Sequence, residues 1–295
     1  MSHCGQQILI SGRLLRTAQL AGDGYESIES PEAAIDHVRN GHDRADLFTF
    51  MQIMPDVVPK FSYAMEWDNL AVLSVSTFDY WWDHQIRSYP RNRARQAEKR
   101  GVELREAVFD DALVRGIWQV YNECPLRQGR RFRHYGISLE EVHRVEATFL
   151  DSSIFIGAYL DVQLIGFVKI TWDQTRTQAN LMNIVSMVQH KDKAPTNALI
   201  AQAVRSCAER NIRYLAYQSF SYGKRGEDSM SNFKAVNGFE RVEIPRYYVP
   251  LSARGALALR LGLHHRLADQ IPQFLSSGLR AARKAWYEHK AGLTT

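Results

Sequence analysis

Residues 189–206 read QHKDKAPTNALIAQAVRS. A polar, lysine-rich turn runs to Pro195, and an apolar-periodic segment begins at once. Proline presets a helical φ, and its missing N–H costs nothing at the first position of a helix. The spacing therefore predicts a helix over Thr196–Asn211. A helix start also presents free amides and the positive end of the helix dipole, so the turn is a candidate anion site. Lys191 and Lys193 add attraction, and Asn197 offers a hydrogen bond. Asp192 opposes it, because a carboxylate repels phosphate and a residue other than glycine limits close backbone approach. Two alternatives stand: a helix behind a solvated charged loop, or a turn that holds a phosphate-bearing ligand.

The flanking segments give the frame. SIFIGAYL (153–160), a turn at Asp161 and QLIGFVKITW (163–172) read as a β-hairpin, and QANLMNIVSMV (178–188) as a third strand. IRYLAYQSF (212–220) is a strand. MSNFKAVNGF (230–239) is a short helix ended by Asn237-Gly238, and IPRYYVPL (244–251) is a last strand. Before the hairpin, VELREAVF (102–109) alternates as a strand. Asp110 or Asp111 opens a helix through Cys124, and Ser138 with Glu141 forms a capping box for another helix over 138–150. From Val102 the order is β-α-α-β-β-β-α-β-α-β.

Upstream, QQILISGRLL (6–15), ADLFTFMQ (45–52) and NLAVLSVS (69–76) read as strands. Residues 30–41 read as a helix with Ser30 as N-cap and Pro31 at its first position. STFDYWWDHQIRS (76–88) looks helical, with Trp81 and Trp82 partly buried. A basic helix is expected over Asn92–Lys99, capped by Gly101. The expected division is an N-terminal α/β half (1–100), a second half (101–251) and a basic helical tail (252–295).

Hydrophobic residues make up 45% of the 295, and charged residues 23%, as in ordinary globular proteins. The three cysteines are scattered and form no CxxC, which suggests neither a disulfide framework nor a zinc site. Cys124 and Cys207 are expected on helices, as structural residues. His264-His265 is a pair with no acidic residue close in sequence, so no metal site is expected. There is no basic-then-apolar leader and no apolar run of ~20 residues, and a cytoplasmic location is the expectation. The net charge is +5. From Leu251 onward seven Lys/Arg face two acids, so this segment carries all of it. Its apolar residues fall near helical spacing, opposite the basic ones. Such a helix packs on its own domain or a partner, or lies on an anionic membrane surface.

The order from Val102, with its punctuation, resembles the GNAT acyltransferases, an α/β fold of one mixed sheet flanked by helices. In that family a Q/R-x-x-G-x-G/A turn holds the pyrophosphate of an acyl-CoA. Gln189 and Ala194 match it, and Asp192 stands where the family has glycine. The stretch RNRARQAEKRGVELREA (91–107) is similar to the linker of the Fem-type aminoacyltransferases, bacterial enzymes that use a tRNA-borne amino acid. FKAVNGF (233–239) fits both branches. The resemblance implies acyl or aminoacyl transfer to an amine of an anionic acceptor, such as a cell-envelope precursor or sugar. The donor would be acyl-CoA or aminoacyl-tRNA, with no tightly bound cofactor. An acetyl-CoA-dependent acetyltransferase of a small amine and a catalytically silent binding module are the alternatives.

Candidate residues follow. The donor turn offers Gln189, Lys191, Lys193, Ala194 and Asn197. The loop NECPLRQGRRFRHYG (122–136) is rich in arginine, whose fork suits carboxylate and phosphate. The resemblance makes this loop the acceptor wall, with Arg127, Gln128, Arg130 and Tyr135 as substrate-binding residues. His134 titrates near neutrality and is a candidate proton carrier. Asn183, on the third strand, is placed to orient an amine. Tyr222 is the counterpart of the family's general acid.

Overall fold

The computed structural model describes residues 2–3, 6–28, 30–41, 44–127, 130–221 and 229–265. The strands are β1 (Ser2–His3), β2 (Gln6–Ser11), β3 (Thr17–Leu20), β4 (Leu47–Met51), β5 (Ala64–Ser74), β6 (Val102–Ala107), β7 (Leu126–Arg127), β8 (Arg130–Arg131), β9 (Ser153–Leu160), β10 (Gln163–Trp172), β11 (Gln178–Ser186), β12 (Tyr214–Ala216) and β13 (Glu240–Pro250). The helices are α1 (Pro31–Asn40), α2 (Phe78–Tyr80), α3 (Ser88–Lys99), α4 (Asp111–Asn122), α5 (Leu139–Glu146), α6 (Pro195–Glu209), α7 (Ser229–Val236) and α8 (Ala253–Arg260). The protein is an α/β structure of the expected class. The order from Val102 holds, with one addition: β7 and β8 form a small hairpin where a loop was expected.

Eleven strands form one mixed sheet in the order β1-β2-β3-β4-β13-β5-β12-β11-β10-β9-β6. β13 enters between β4 and β5, antiparallel to both. β5 in turn pairs with β12, so each strand from β1 to β6 is hydrogen-bonded to the next in this order.

The central strands are buried on both faces. On one face Val168 and Ile170 of β10 pack with Ala198, Leu199 and Val204 of α6 and with Ala94 and Ala97 of α3. On the other, Phe167 packs with Leu113, Ile117 and Tyr121 of α4 and Val142 of α5. Alternation along β10 therefore sends Lys169 to the α4/α5 side.

Local signals worked where side chains cap helices. Asp110 accepts from Leu113 N–H, and Ser138 from Glu141 N–H. The capping box is only half made, because the Glu141 carboxylate turns to Arg144. Ser30 holds the N-cap position of α1 without a side-chain bond.

Four expectations need correction. α3 begins at Ser88, four residues before the basic run, with Pro90 inside its first turn. Residues 76–88 are not one helix: three residues of α2 pass into a π-turn over Trp81–Gln85. Trp81 is wholly buried and donates its indole N–H to Asn237 O at 2.9 Å. That long-range bond fixes the turn, and no local pattern encodes it. Cys124 lies beyond the end of α4, whereas Cys207 is buried within α6.

The Asn237-Gly238 stop after α7 is as read. Gly238 has φ 88°, and a Cβ there would press on the Gln85 backbone at 3.3 Å. Of the basic segment from 252 on, α8 and the turn to His265 are described, and residues 266–295 lie outside the described residues. None of the described helices is long and apolar enough to cross a membrane.

Candidate active site

Two features meet around β11. The first is a gap in the sheet. β11 pairs with β12 only through Gln178–Asn180, while its other edge follows β10 as far as Ser186. The β10–β11 register slips where Lys169 faces Asn183 but Ile170 faces Leu181, so Met182 bulges. β11 thus leaves β12 after Asn180 and carries Asn183–Ser186 toward the start of α6.

The second is a buried polar cluster under the same strand. Glu146, the last residue of α5, lies one helical turn after Val142 on the apolar face and is fully buried. Its Oε1 accepts from the Tyr121 hydroxyl at 2.7 Å and from Asn183 Nδ2 at 3.0 Å. Its Oε2 has no partner. Lys169 Nζ donates to Glu146 O at 2.8 Å and to Thr148 O at 2.5 Å. A cation at the C-terminal carbonyls of α5 also meets the negative end of the helix dipole.

Burial dominates the electrostatics here. It raises the Glu146 carboxyl above the usual range, against the pull of Tyr121, Lys169 and Asn183. Burial also draws Lys169 down to about 8, against the Glu146 charge, and raises Tyr121. His134 stacks on the Tyr121 ring at 4.5 Å, and burial with the Arg133 and Arg127 charges pushes its imidazole down to about 4. His134 is therefore neutral at pH 7, a hydrogen-bonding group of low proton affinity.

The turn before α6 is compact. Val188–Lys193 form a 3-10 turn, Ala194 has φ 56°, and α6 starts at Pro195. Glu123, just past α4, fills the turn's entrance: its carboxylate accepts from Val188 N–H at 3.1 Å and Gln189 N–H at 2.9 Å. Arg127 Nη2 stands 3.7 Å from Glu123 and donates to Val120 O at 2.9 Å, and Nη1 donates to Ser186 O. The Arg127 guanidinium is thus bound largely to its own chain, stacked over Phe132 at 4.3 Å. Arg100 donates to Asp192 O and Oδ2, and Arg93 to Lys191 O. Lys193 Nζ lies 3.7 Å from Asp192.

The structure brings Asn183 and His134 to the same cluster through Glu146 and Tyr121. It sets Arg127 against the start of the turn before α6. Arg130 and Tyr135 are exposed on the hairpin side. Gln189 and Lys191 are exposed, Ala194 is buried and Asn197 is half-buried. Gln128 and Tyr222 lie outside the described residues. Tyr121, Glu146, Lys169 and Glu123 were not anticipated as site residues. Lys169 did leave a signal, as the one charge in an otherwise apolar strand, GFVKITW, since an interior lysine is rare without a partner.

No family model and no curated protein matches the sequence. Solved structures do match. "FemX" aligns with a TM-score of 0.59 at 10% identity, covering 87% of this chain and 86% of that one. L-PGS from Bacillus licheniformis gives 0.57 at 13% identity, covering 88% and 86%. The C-terminal domain of a putative lysylphosphatidylglycerol synthetase from Agrobacterium fabrum gives 0.55 at 14%, covering 86% and 83%. Each likeness covers more than four-fifths of the chain, and the chain shares the fold of these three structures.

Proposed function

We propose that the protein transfers an aminoacyl group from tRNA to an amine of an anionic acceptor, such as a cell-envelope precursor or sugar. One observation carries the choice of donor: the Glu123 carboxylate occupies the Val188 and Gln189 amides at the entrance of the turn. A diphosphate would have to displace this carboxylate, which Arg127 also holds, and would meet Asp192 beside it. Charge-assisted bonds of this kind are the strong ones, so the internal acid disfavours an acyl-CoA cradle. An ester-linked aminoacyl group needs no such cradle at that place. The likeness to FemX and to the two L-PGS-type structures supports the same choice.

In this reading the gap between β11 and β12 admits the acyl group beside the exposed edge of β11. Asn183, oriented by Glu146, hydrogen-bonds the attacking amine. Neutral His134 lies on the acceptor side, and Arg130 meets the acceptor's negative charge. The amine attacks the aminoacyl ester carbonyl, the tRNA 3′-terminal oxygen leaves, and one proton passes from amine to leaving oxygen.

Calorimetric titration with acetyl-CoA and CoA, beside filter retention of charged and uncharged tRNA, tests the donor. Retention of charged tRNA with no CoA binding at millimolar ligand is expected. Saturable acetyl-CoA binding that is lost in Lys193→Ala overturns the choice and makes the turn an acyl-CoA site.

A further inference from the structure

His264 and His265 were read as a pair without an acidic neighbour; the fold supplies one from β5. Glu66 Oε1 lies 3.0 Å from His264 Nε2 and 3.4 Å from His265 Nε2. Among the described residues this is the one group of three ligand-type side chains whose donor atoms converge, all within 4.8 Å of one another.

The placement follows from the end of α8. Gly255 lets α8 approach the start of β4 closely, since a Cβ there would fall 1.8 Å from Asp46 O. The helix then stops at Gly262, φ 68°, with Leu263 N–H bonded back to Ala258 O at 2.8 Å and Gly262 N–H to Leu259 O at 3.1 Å. That stop sends the two histidines onto β5 and β13. The His264 ring meets Tyr248 of β13 edge-on at 4.6 Å, and its side chain is only 3% exposed.

We propose that Glu66, His264 and His265 bind a divalent d-block cation of the zinc class. Two properties carry this. The donors are two imidazole nitrogens and one carboxylate oxygen, a set that favours zinc-like ions over calcium or magnesium. A tetrahedral ion with bonds of ~2.0–2.1 Å holds its ligand atoms roughly 3.3 Å apart, and 3.0 and 3.4 Å bracket that spacing. The ion clasps the segment after α8 to β5, across 198 residues of sequence. Three protein ligands leave one position for water, so the affinity is that of an open site.

The test uses the full, untagged chain with Co²⁺ and Zn²⁺ as probes, read by visible Co²⁺ absorption, by competition with a chromophoric chelator and by thermal melting. One equivalent of Co²⁺, displaced by Zn²⁺, and a raised melting temperature are expected. His264→Ala should abolish binding, and Glu66→Gln should weaken it at least ~10-fold. His265→Ala, at an exposed position that leaves packing intact, should weaken it as well, which keeps the test decisive if the buried variant misfolds. No saturable binding below millimolar ion, or binding that Glu66→Gln and His265→Ala both retain, overturns the site.

Discussion

Two charge clusters lie against this sheet, one partly and one fully buried, and they are built to opposite standards. Around Arg246 everything is paired. Its guanidinium donates to Asp23 at 2.7 Å and to Asp68 at 2.8 Å, and each acid also accepts a backbone N–H, from Met51 and Asn69. The two carboxylates hold Arg246 above its ordinary proton affinity, in spite of burial. Around Glu146 the accounts are left open. One carboxylate oxygen is bare, burial raises the carboxyl and draws Lys169 down to about 8, and the lysine's hydrogen bonds go to carbonyls rather than to the acid. A saturated cluster can only hold strands together. An under-satisfied one, beside a gap in the sheet, retains hydrogen-bonding capacity for chemistry.

The largest effect should come from breaking the saturated cluster. Arg246→Met strands Asp23 and Asp68 and should cost about 3 kcal/mol, discounted for the partial exposure of Asp68, in urea unfolding at pH 7. A loss below ~1 kcal/mol would erase the contrast between the clusters.

A pH effect of about 2 kcal/mol should come from Lys169. Its folded proton affinity, about 8, lies below the ordinary 10.5. Between those values the unfolded chain holds a proton that the folded protein has released. This group's contribution to stability therefore rises as pH climbs from 8 to 10.5. Lys169→Met should flatten that part of the urea-midpoint profile. An unchanged slope would mean that the lysine keeps its proton and that the cluster is better paired than it looks.

The smallest shift should follow Glu123→Gln. The turn loses a charged acceptor at two amides, and stability should fall by about 1 kcal/mol. The same change should raise affinity for inorganic phosphate or CoA, measured by titration. Unchanged anion affinity would remove the internal carboxylate as the reason for disfavouring CoA.

How much of this was legible depends on the distance over which the cause acts. The Ser138 and Asp110 caps, the Pro195 helix start and the 153–172 hairpin depend on neighbours within a few residues, and periodicity reads them. The π-turn at Trp81 depends on Asn237, and β13 depends on two strands that lie far earlier in the chain, as in the pairs Glu240–Val72 and Arg246–Met51. No local pattern carries such partners. The same holds for the candidate site. Asn183 and His134 could be singled out by type and place. Tyr121 and Glu146, by contrast, look like core positions of amphipathic helices until Lys169 and Asn183 are laid beside them. Glu66 is an unremarkable strand glutamate until α8 turns His264 onto it.

The insertion of β13 between β4 and β5 has a consequence for biosynthesis. For most of the time the ribosome spends on residues 75–239, β4 and β5 have been made and each lacks its shared neighbour. Two strand edges with apolar residues, Phe48 and Phe50 on one and Val72 and Leu73 on the other, stay open through most of translation. Such edges template wrong pairing, and closing them late demands contacts of long sequence separation. The nascent chain is thus most exposed to chaperones and to aggregation just before Glu240–Pro250 emerges, and its yield should respond to translation speed over that interval.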